Sequence, residues 1–329
     1  MEESDIRPAH LSSKQKEAYR LDVLRYQRYV NEFKIRNCPG CDSDENSLYL
    51  EHNKFLFVRC LACNCIFMNP GPTDLHVADL YENSEIYKFW AKYMYPQSRD
   101  SRLATLHNMR VEWLVNAIEN HLDPKTNYRI LEIGAGTGDT MYKLNSLNRS
   151  DLQAFAVEWN PEMKESLSQN GVKFLGKTLE DIGTDEPKFD VIVLFEVIEH
   201  LLDPMTLIKS AKKILNENGV IMFTTPNAQS IEVQWIKART MTIDIEHISI
   251  LTPAAVTHLA HRNGLTVKRI ETNGKLDREI MEKAGFELHM ILDTSEIPQT
   301  DIQELIATGG FSSNMQIILQ NDQSSKVLT

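Results

Sequence analysis

After Cys65 the chain has no further cysteine; all five of its cysteines fall between positions 38 and 65 of 329. That distribution excludes a disulfide framework spread over a secreted fold and points to one local site. Also missing is any uninterrupted apolar run of ~18 residues, the length a membrane-spanning helix needs. The start, MEESDIRPAH, is acidic and polar where a secretory leader would be basic and then apolar. The expectation is a soluble, cytoplasmic chain with no membrane partner. Basic residues are in the minority, 35 Lys and Arg against 46 Asp and Glu, and the formal net charge of −11 disfavours nucleic acid and anionic lipid as partners. Neutral or cationic substrates fit better. Internal repeats and low-complexity tracts are absent as well. With 42% apolar and 25% charged residues the chain can bury a sizeable core, and its length suits about two domains.

Residues 12–34 place Leu21, Leu24, Tyr26 and Val30 at helical spacing among Lys and Arg. This predicts one amphipathic helix, which could pair with a copy of itself in a homodimer. The cysteine segment follows and ends in NPGPTD at 69–74, whose prolines and glycine mark a boundary. Residues 75–98 are unusually aromatic, and 99–122 show a helical period stopped by Asp123-Pro124. From Tyr128 short β-branched runs alternate with helical stretches: YRILEI, QAFAVE, VKFL, FDVIVLFE, GVIMFT and LTVKRI, with NMQIILQ at 314–320 as a final strand. Such alternation predicts an α/β fold with a doubly wound, mostly parallel sheet covered on both faces. The expected division is 1–36, an amphipathic helix; 37–74, the cysteine subdomain; 75–127, an aromatic helical lid; and 128–329, the doubly wound domain.

ILEIGAGTGDT at 130–140 puts Gly134, Gly136 and Gly138 between a strand and a helix, where backbone can turn tightly and approach a ligand. A dinucleotide site would use such a loop for pyrophosphate. Here Glu132 leads into the loop, and a carboxylate there repels pyrophosphate and attracts an ammonium group, so a zwitterionic, cationic cofactor fits better. Glu158 ends the second strand about 20 residues beyond the last glycine, where a carboxylate can accept hydrogen bonds from both ribose hydroxyls. Trp159 could lie on an adenine face, and Glu180 or Asp181 could accept the adenine amino group.

With these residues in order the chain resembles the class I S-adenosylmethionine-dependent methyltransferases from about Tyr128 to Ile270. The resemblance implies S-adenosylmethionine as cofactor, bound by Glu132, Gly134, Gly136, Gly138, Glu158, Trp159, Glu180 or Asp181, and by Phe195 with Glu196 after the fourth strand. It implies a seven-stranded sheet of order 3-2-1-4-5-7-6 whose last strand, NMQIILQ, is antiparallel. An insertion then fills 271–313.

CPGC at 38–41 and CLAC at 60–63 form C-x2-C, eighteen residues, C-x2-C. Cys38, Cys41, Cys60 and Cys63 can close a tetrahedral Zn²⁺ site with no open position, hence a structural one; Cys65 is expected as a free thiol. The alternative is a set of buried, reduced cysteines without metal. The segment from Arg59 to Tyr87 also resembles the amino-terminal zinc-binding segment joined to bacterial methyltransferases of polysaccharide and secondary-metabolite pathways. In that segment a glycine commonly follows the second knuckle, where this chain has Asn64.

FEVIEHL places Glu196, Glu199 and His200 after strand four, and His247 follows in DIEHISILTP. Carboxylates and imidazoles of this kind could hold Mg²⁺ or another divalent ion. A similar E-x-x-E-H with a distant histidine occurs in the quinone-biosynthesis O-methyltransferases and in the small-RNA 3′-terminal 2′-O-methyltransferases. That resemblance implies Glu196, Glu199, His200 and His247 as ligands of an ion that polarises the acceptor hydroxyl. Without metal, His200 or His247 becomes the general base, because an imidazole can take a proton near neutral pH. Tyr81, Tyr87 and Tyr93 could close over the cleft, or their rings could simply pack a helix. The expected function is O-methylation of a small molecule or sugar, catalysed with Glu196, His200 and His247. The alternatives are 2′-O-methylation of RNA ends, C-methylation of a sugar, and an interaction protein that binds cofactor without turnover.

Overall fold

The computed structural model describes residues 3–160, 163–274, 277–285 and 299–321. Its strands are β1 (Asn46–His52), β2 (Phe55–Cys60), β3 (Ile66–Met68), β4 (Tyr128–Ile133), β5 (Leu152–Val157), β6 (Lys173–Gly176), β7 (Phe189–Phe195), β8 (Leu215–Pro226), β9 (Ser249–Ile250), β10 (Thr266–Thr272) and β11 (Asn314–Gln320). Seven of them form one sheet in the order β10-β11-β8-β7-β4-β5-β6. Counted from β4 and omitting β9, this is the order 3-2-1-4-5-7-6. β11 runs antiparallel to both neighbours, while the remaining pairs are parallel.

The run FDVIVLF, apolar except for Asp190, becomes the central strand, and every residue of β7 is buried. Its side chains alternate between two cores. Ile192 and Leu194 pack with Leu131, Phe155, Ile208 and Leu259 on one face. Val191, Val193 and Phe195 pack with Val111, Leu114 and Met141 on the other. Burying each such side chain contributes about 1.5–3 kcal/mol, which is why this strand and its βα connections hold the ends of β4, β5 and β7 in a fixed row. The helices Asp139–Asn145, Pro204–Lys213 and Pro253–Arg262 cover the faces.

β1, β2, β3 and β9 make a second, antiparallel sheet. Its last strand comes from the far side of β8, so Ile66 pairs with Ile250 and Phe67 with Ser249. Cys38, Cys60, Cys63 and Cys65 lie in the same hydrophobic cluster as Leu251, Ala255, Val256 and Leu259. The cysteine region is thus built into the larger fold. A Cβ on Gly40 would meet that of Ala255 at 2.6 Å, so only glycine permits this approach. Asn64 takes the position after the second knuckle with φ of 60°, a left-handed turn that asparagine tolerates better than most residues.

The single helix expected over 12–34 is divided. An α-helix covers Ser12–Tyr26, and tighter turns cover Gln27–Glu32. Tyr26 is fully buried, with its ring 5.5 Å from Phe33 and 6.0 Å from Phe55; bringing Tyr26 and Phe33 together requires the chain to tighten between them. Asp22, also buried, accepts Ser84 Oγ at 2.7 Å and the amides of Glu85 and Ile86 at 2.9 Å. It thereby ties this helix to the helix Glu85–Phe89. From there the chain stays helical to His121, with π-type turns at Trp90–Met94 and Leu103–His107.

After β5 a helix covers Lys164–Gln169; residues 161–162 lie outside the described residues. In the insertion, helices cover Asp277–Lys283 and Gln299–Thr308. Among the described residues no helix is long and apolar enough to cross a membrane.

Candidate functional site

The glycine loop leaves β4 with all three glycines left-handed, at φ of 70°, 53° and 78°. Their surroundings differ. An added Cβ on Gly134 would meet Val197 Cγ2 at 2.7 Å and one on Gly138 would meet Leu167 Cδ2 at 2.7 Å, whereas one on Gly136 would meet nothing within 4 Å. Gly134 and Gly138 therefore serve packing, and Gly136 faces open space. Glu158, at the end of β5, accepts the Gly136 amide at 2.7 Å and the Asn160 amide at 2.9 Å. Each carboxylate oxygen keeps acceptor capacity for a ligand hydroxyl. Burial raises the Glu158 carboxyl above its ordinary range despite these two amides.

Glu132 is buried beneath the loop, and its Oε2 has no hydrogen-bond partner among the described residues. Burial pushes its pKa up to about 8, against the opposing pull of Arg110. An orphaned buried carboxylate oxygen fits an ammonium ligand. Trp159 is 42% exposed, with Lys177 Nζ 5.9 Å from its ring. Asp181 Oδ2 accepts the amides of Lys177 and Thr178 at 2.7 and 3.0 Å, so its carboxylate shapes the loop after β6. Glu180 beside it is exposed. Phe195 is buried in the core, its ring 6.3 Å from Trp113.

Beyond β7 the backbone turns left-handed at Glu196, φ 57°. Its carboxylate accepts Thr224 Oγ1 at 2.5 Å and Asn314 Nδ2 at 2.9 Å. The four-ligand set expected from E-x-x-E-H does not assemble as such: ligand atoms of Glu199, His200 and His247 lie within 4.8 Å of one another, and Glu196 stands outside this group. The physical reason is that Glu196 is drawn to the hydroxyl and amide at the ends of β8 and β11. Glu199 is fully buried. Its Oε2 accepts Thr225 Oγ1 at 3.1 Å, while Oε1 has no partner among the described residues. Burial, then the nearby Glu196, pushes the Glu199 carboxyl well up.

The imidazoles of His200 and His247 stand 4.8 Å apart, centroid to centroid. His200 Nδ1 lies 3.1 Å from the Glu246 carbonyl and His247 Nδ1 3.1 Å from that of Thr242. A carbonyl only accepts, so Nδ1 carries a proton in both rings, and in the neutral imidazole Nε2 is then the atom with the lone pair. Burial, followed by the neighbouring His247, lowers the His200 pKa to about 3. Two imidazole Nε2 atoms and an orphaned carboxylate oxygen form a donor set that suits a borderline divalent ion such as Zn²⁺ or Mn²⁺ better than Mg²⁺, which prefers oxygen.

Sequence reasoning missed Arg110. Its guanidinium carbon sits 4.5 Å from the centre of the Phe195 ring, and Glu196 and Glu132 offset part of the burial that lowers its pKa. The only signal in the sequence is a lone arginine within the apolar period of 108–121. Tyr81 and Tyr87 stack at 5.2 Å and, with His200 and Glu246, line a cavity of about 10 Å³. Tyr93 packs on Phe89 at 5.6 Å.

At the cysteines, Sγ atoms of Cys38 and Cys63 are 3.5 Å apart, as are those of Cys41 and Cys60, and all four fall within 4.8 Å of one another. Four thiolates about 2.3 Å from a common Zn²⁺ would be spaced about 3.8 Å apart, so the cluster fits that ion. Cys65 is outside the four-sulfur group but buried next to Cys38, and its thiol donates to the Ile250 carbonyl at 3.1 Å.

The sequence model of a methyltransferase-domain family matches residues 105–270. The ubiquinone biosynthesis O-methyltransferase of Ruegeria sp. (strain TM1040) is 27% identical over 157 residues, 44% of this chain and 64% of that protein. The enzyme of the same name from Rickettsia felis is 26% identical over 136 residues, 40% of this chain and 55% of that protein. The chain thus spans less than two thirds of the length of these relatives. Among solved structures, magnesium protoporphyrin IX methyltransferase from Synechocystis PCC 6803 with bound SAH aligns with a TM-score of 0.48 at 13% identity, over 75% of this chain and 99% of that one.

Proposed function

The chain belongs to the methyltransferase-domain family, and on that premise we propose that it transfers the methyl group of S-adenosylmethionine to a hydroxyl oxygen of a small molecule or sugar. The observation that carries the oxygen assignment is the histidine pair whose Nδ1–H groups are both held by carbonyls, which makes Nε2 the lone-pair atom of each neutral ring. The similarity to ubiquinone biosynthesis O-methyltransferases supports the same reading.

At the cofactor end Glu132 receives the ammonium, Arg110 the carboxylate of the methionine moiety, and Glu158 the ribose hydroxyls, while Gly136 leaves room for the nucleoside. The acceptor oxygen attacks the methyl carbon in line as the carbon–sulfur bond breaks; sulfur leaves as a neutral thioether, and the acceptor loses its proton. His200, with a pKa of about 3, is too weak a base to take that proton efficiently near neutral pH. His247 Nε2 is therefore the proton acceptor, and His200 and Glu199 orient the hydroxyl. Alternatively Glu199, His200 and His247 would hold a divalent ion, which when bound would supply Lewis acidity that lowers the pKa of a hydroxyl and take the place of His247 as base. Cys38, Cys41, Cys60 and Cys63 hold a structural zinc.

The test has three parts: calorimetry with S-adenosylmethionine and S-adenosylhomocysteine, elemental analysis of the purified chain, and mass spectrometry of a panel of hydroxyl-bearing acceptors incubated with S-adenosylmethionine. Cofactor binding together with a methylated oxygen on one acceptor class supports the proposal. Indifference to both sulfur compounds, or methylation confined to carbon or nitrogen, removes it.

A further inference from the structure

His200 and His247 are far apart in sequence, on the segments that follow β7 and precede β9, and neither segment carries a regular element long enough to hold an imidazole by itself. Both are grasped by one side chain from the amino-terminal region. Arg36 donates from one terminal nitrogen to the Leu202 carbonyl at 3.2 Å, and from the other to the Ile248 carbonyl at 2.9 Å and Ser249 Oγ at 2.7 Å. Leu202 lies two residues beyond His200 and Ile248 one residue beyond His247. Ser249 closes the clasp, its hydroxyl donating to the Leu201 carbonyl at 2.7 Å.

The arginine is itself aimed. Its guanidinium carbon lies 5.4 Å from the centre of the Phe67 ring, its amide donates to Asn69 Oδ1 at 3.1 Å, and Lys34 exchanges both backbone hydrogen bonds with Gly71 at 2.8 Å. On the other side of the same segment Thr252 Oγ1 donates to the Cys63 carbonyl at 2.6 Å, and Cys65 Sγ donates to the Ile250 carbonyl at 3.1 Å. The segment 248–252 is bracketed by Arg36 and by the second cysteine knuckle. A planar fork with several donors at fixed angles can set the distance between two carbonyl-bearing segments in a way a flexible ammonium cannot.

We propose that Arg36 is a positioning residue that holds His200 and His247 in register, so that the amino-terminal region is part of the catalytic apparatus without touching substrate. The proposal rests on the methyl-transfer reading for its purpose, but its test reads the imidazoles directly. The full chain labelled with isotopic histidine is examined by long-range nitrogen–proton correlation spectra, with His200→Asn and His247→Asn supplying assignments. In the unaltered protein both rings show the single tautomer protonated at Nδ1. Arg36→Gln is expected to introduce the second tautomer or exchange in one or both rings, Arg36→Lys to restore part of the original pattern, and both to leave S-adenosylhomocysteine affinity within about twofold. Ring signals unchanged in Arg36→Gln overturn the proposal. If Arg36→Gln does not fold, Ser249→Ala carries the same readout, and unchanged rings there overturn it equally. Absence of S-adenosylhomocysteine binding in the unaltered chain would instead strike the methyl-transfer reading and leave the ring result standing.

Discussion

Glu158 accepts the backbone amide of Gly136 across a 2.7 Å hydrogen bond, joining the end of the second sheet strand of the doubly wound domain to the centre of the glycine loop. One carboxylate thus serves the loop and has lone pairs left for ligand hydroxyls. Replacing it with alanine removes both functions. Glu158→Ala is expected to weaken S-adenosylhomocysteine binding by roughly 10- to 100-fold, equivalent to ~1.4–2.8 kcal/mol. Calorimetry showing unchanged affinity would contradict this.

The three loop glycines should separate by phenotype. Gly136→Ala introduces a Cβ that meets nothing in the protein, so beyond left-handed backbone strain of about 1–2 kcal/mol its main effect is on ligand binding. Gly138→Ala adds a 2.7 Å clash with Leu167 and should lower the melting temperature further. A pair of melting curves and a pair of titrations decide it; equal melting temperatures for the two variants would sink the distinction.

Cofactor affinity should depend on pH through Glu132. With its pKa near 8, the carboxyl is mostly protonated in the free protein below that pH, while an ammonium ligand favours the ionised form. Binding then expels a proton, so affinity weakens as pH falls from 8 toward 6, by up to ~10-fold per unit. Glu132→Gln should bind weakly with a flat profile. Tighter binding at pH 6 than at pH 8 in the unaltered protein would reverse the sign of the argument.

Substitution of the proton acceptor should affect turnover without affecting cofactor. His247→Ala is expected to lower kcat by about 10²–10⁴-fold while leaving S-adenosylhomocysteine affinity near its original value. Initial rates beside calorimetry check this on whichever acceptor is methylated; a cofactor affinity that collapses with the rate would move His247 to a different role.

Loss of zinc should cost stability first. The four thiols share a core with β7 and the helix Pro253–Arg262, and binding energy at such a site is folding energy. Cys38→Ser, or a strong chelator, is expected to lower the melting temperature by more than about 5 °C. An unchanged melting curve would favour metal-free buried thiols.

Much of the fold was legible because its signals are local. FDVIVLF announces a strand buried on both faces, the spacing of Gly134, Gly136 and Gly138 announces a turn between strand and helix, and the alternation from Tyr128 onward implies a doubly wound sheet. The division of the helix at Tyr26 was not legible, because aromatic packing against Phe33 and Phe55 decided it. Nor was Arg110, whose position on Phe195 depends on how the helix Asn108–His121 crosses the sheet. Glu196 and Glu199 are equally plausible ligands in E-x-x-E-H; the hydroxyl of Thr224 and the amide of Asn314 draw one of them away from the histidines.

Sequence alone determined the alternating architecture, the glycine turn with its acids, and the cysteine spacing, since periodicity and short-range spacing act within a few residues. Tertiary structure alone decided that β9 completes the amino-terminal sheet, that the His200 and His247 rings face each other at 4.8 Å, and that Arg36 grips the segments carrying both. Those relationships join parts of the chain that no local pattern links, and packing of the whole core is what brings them together.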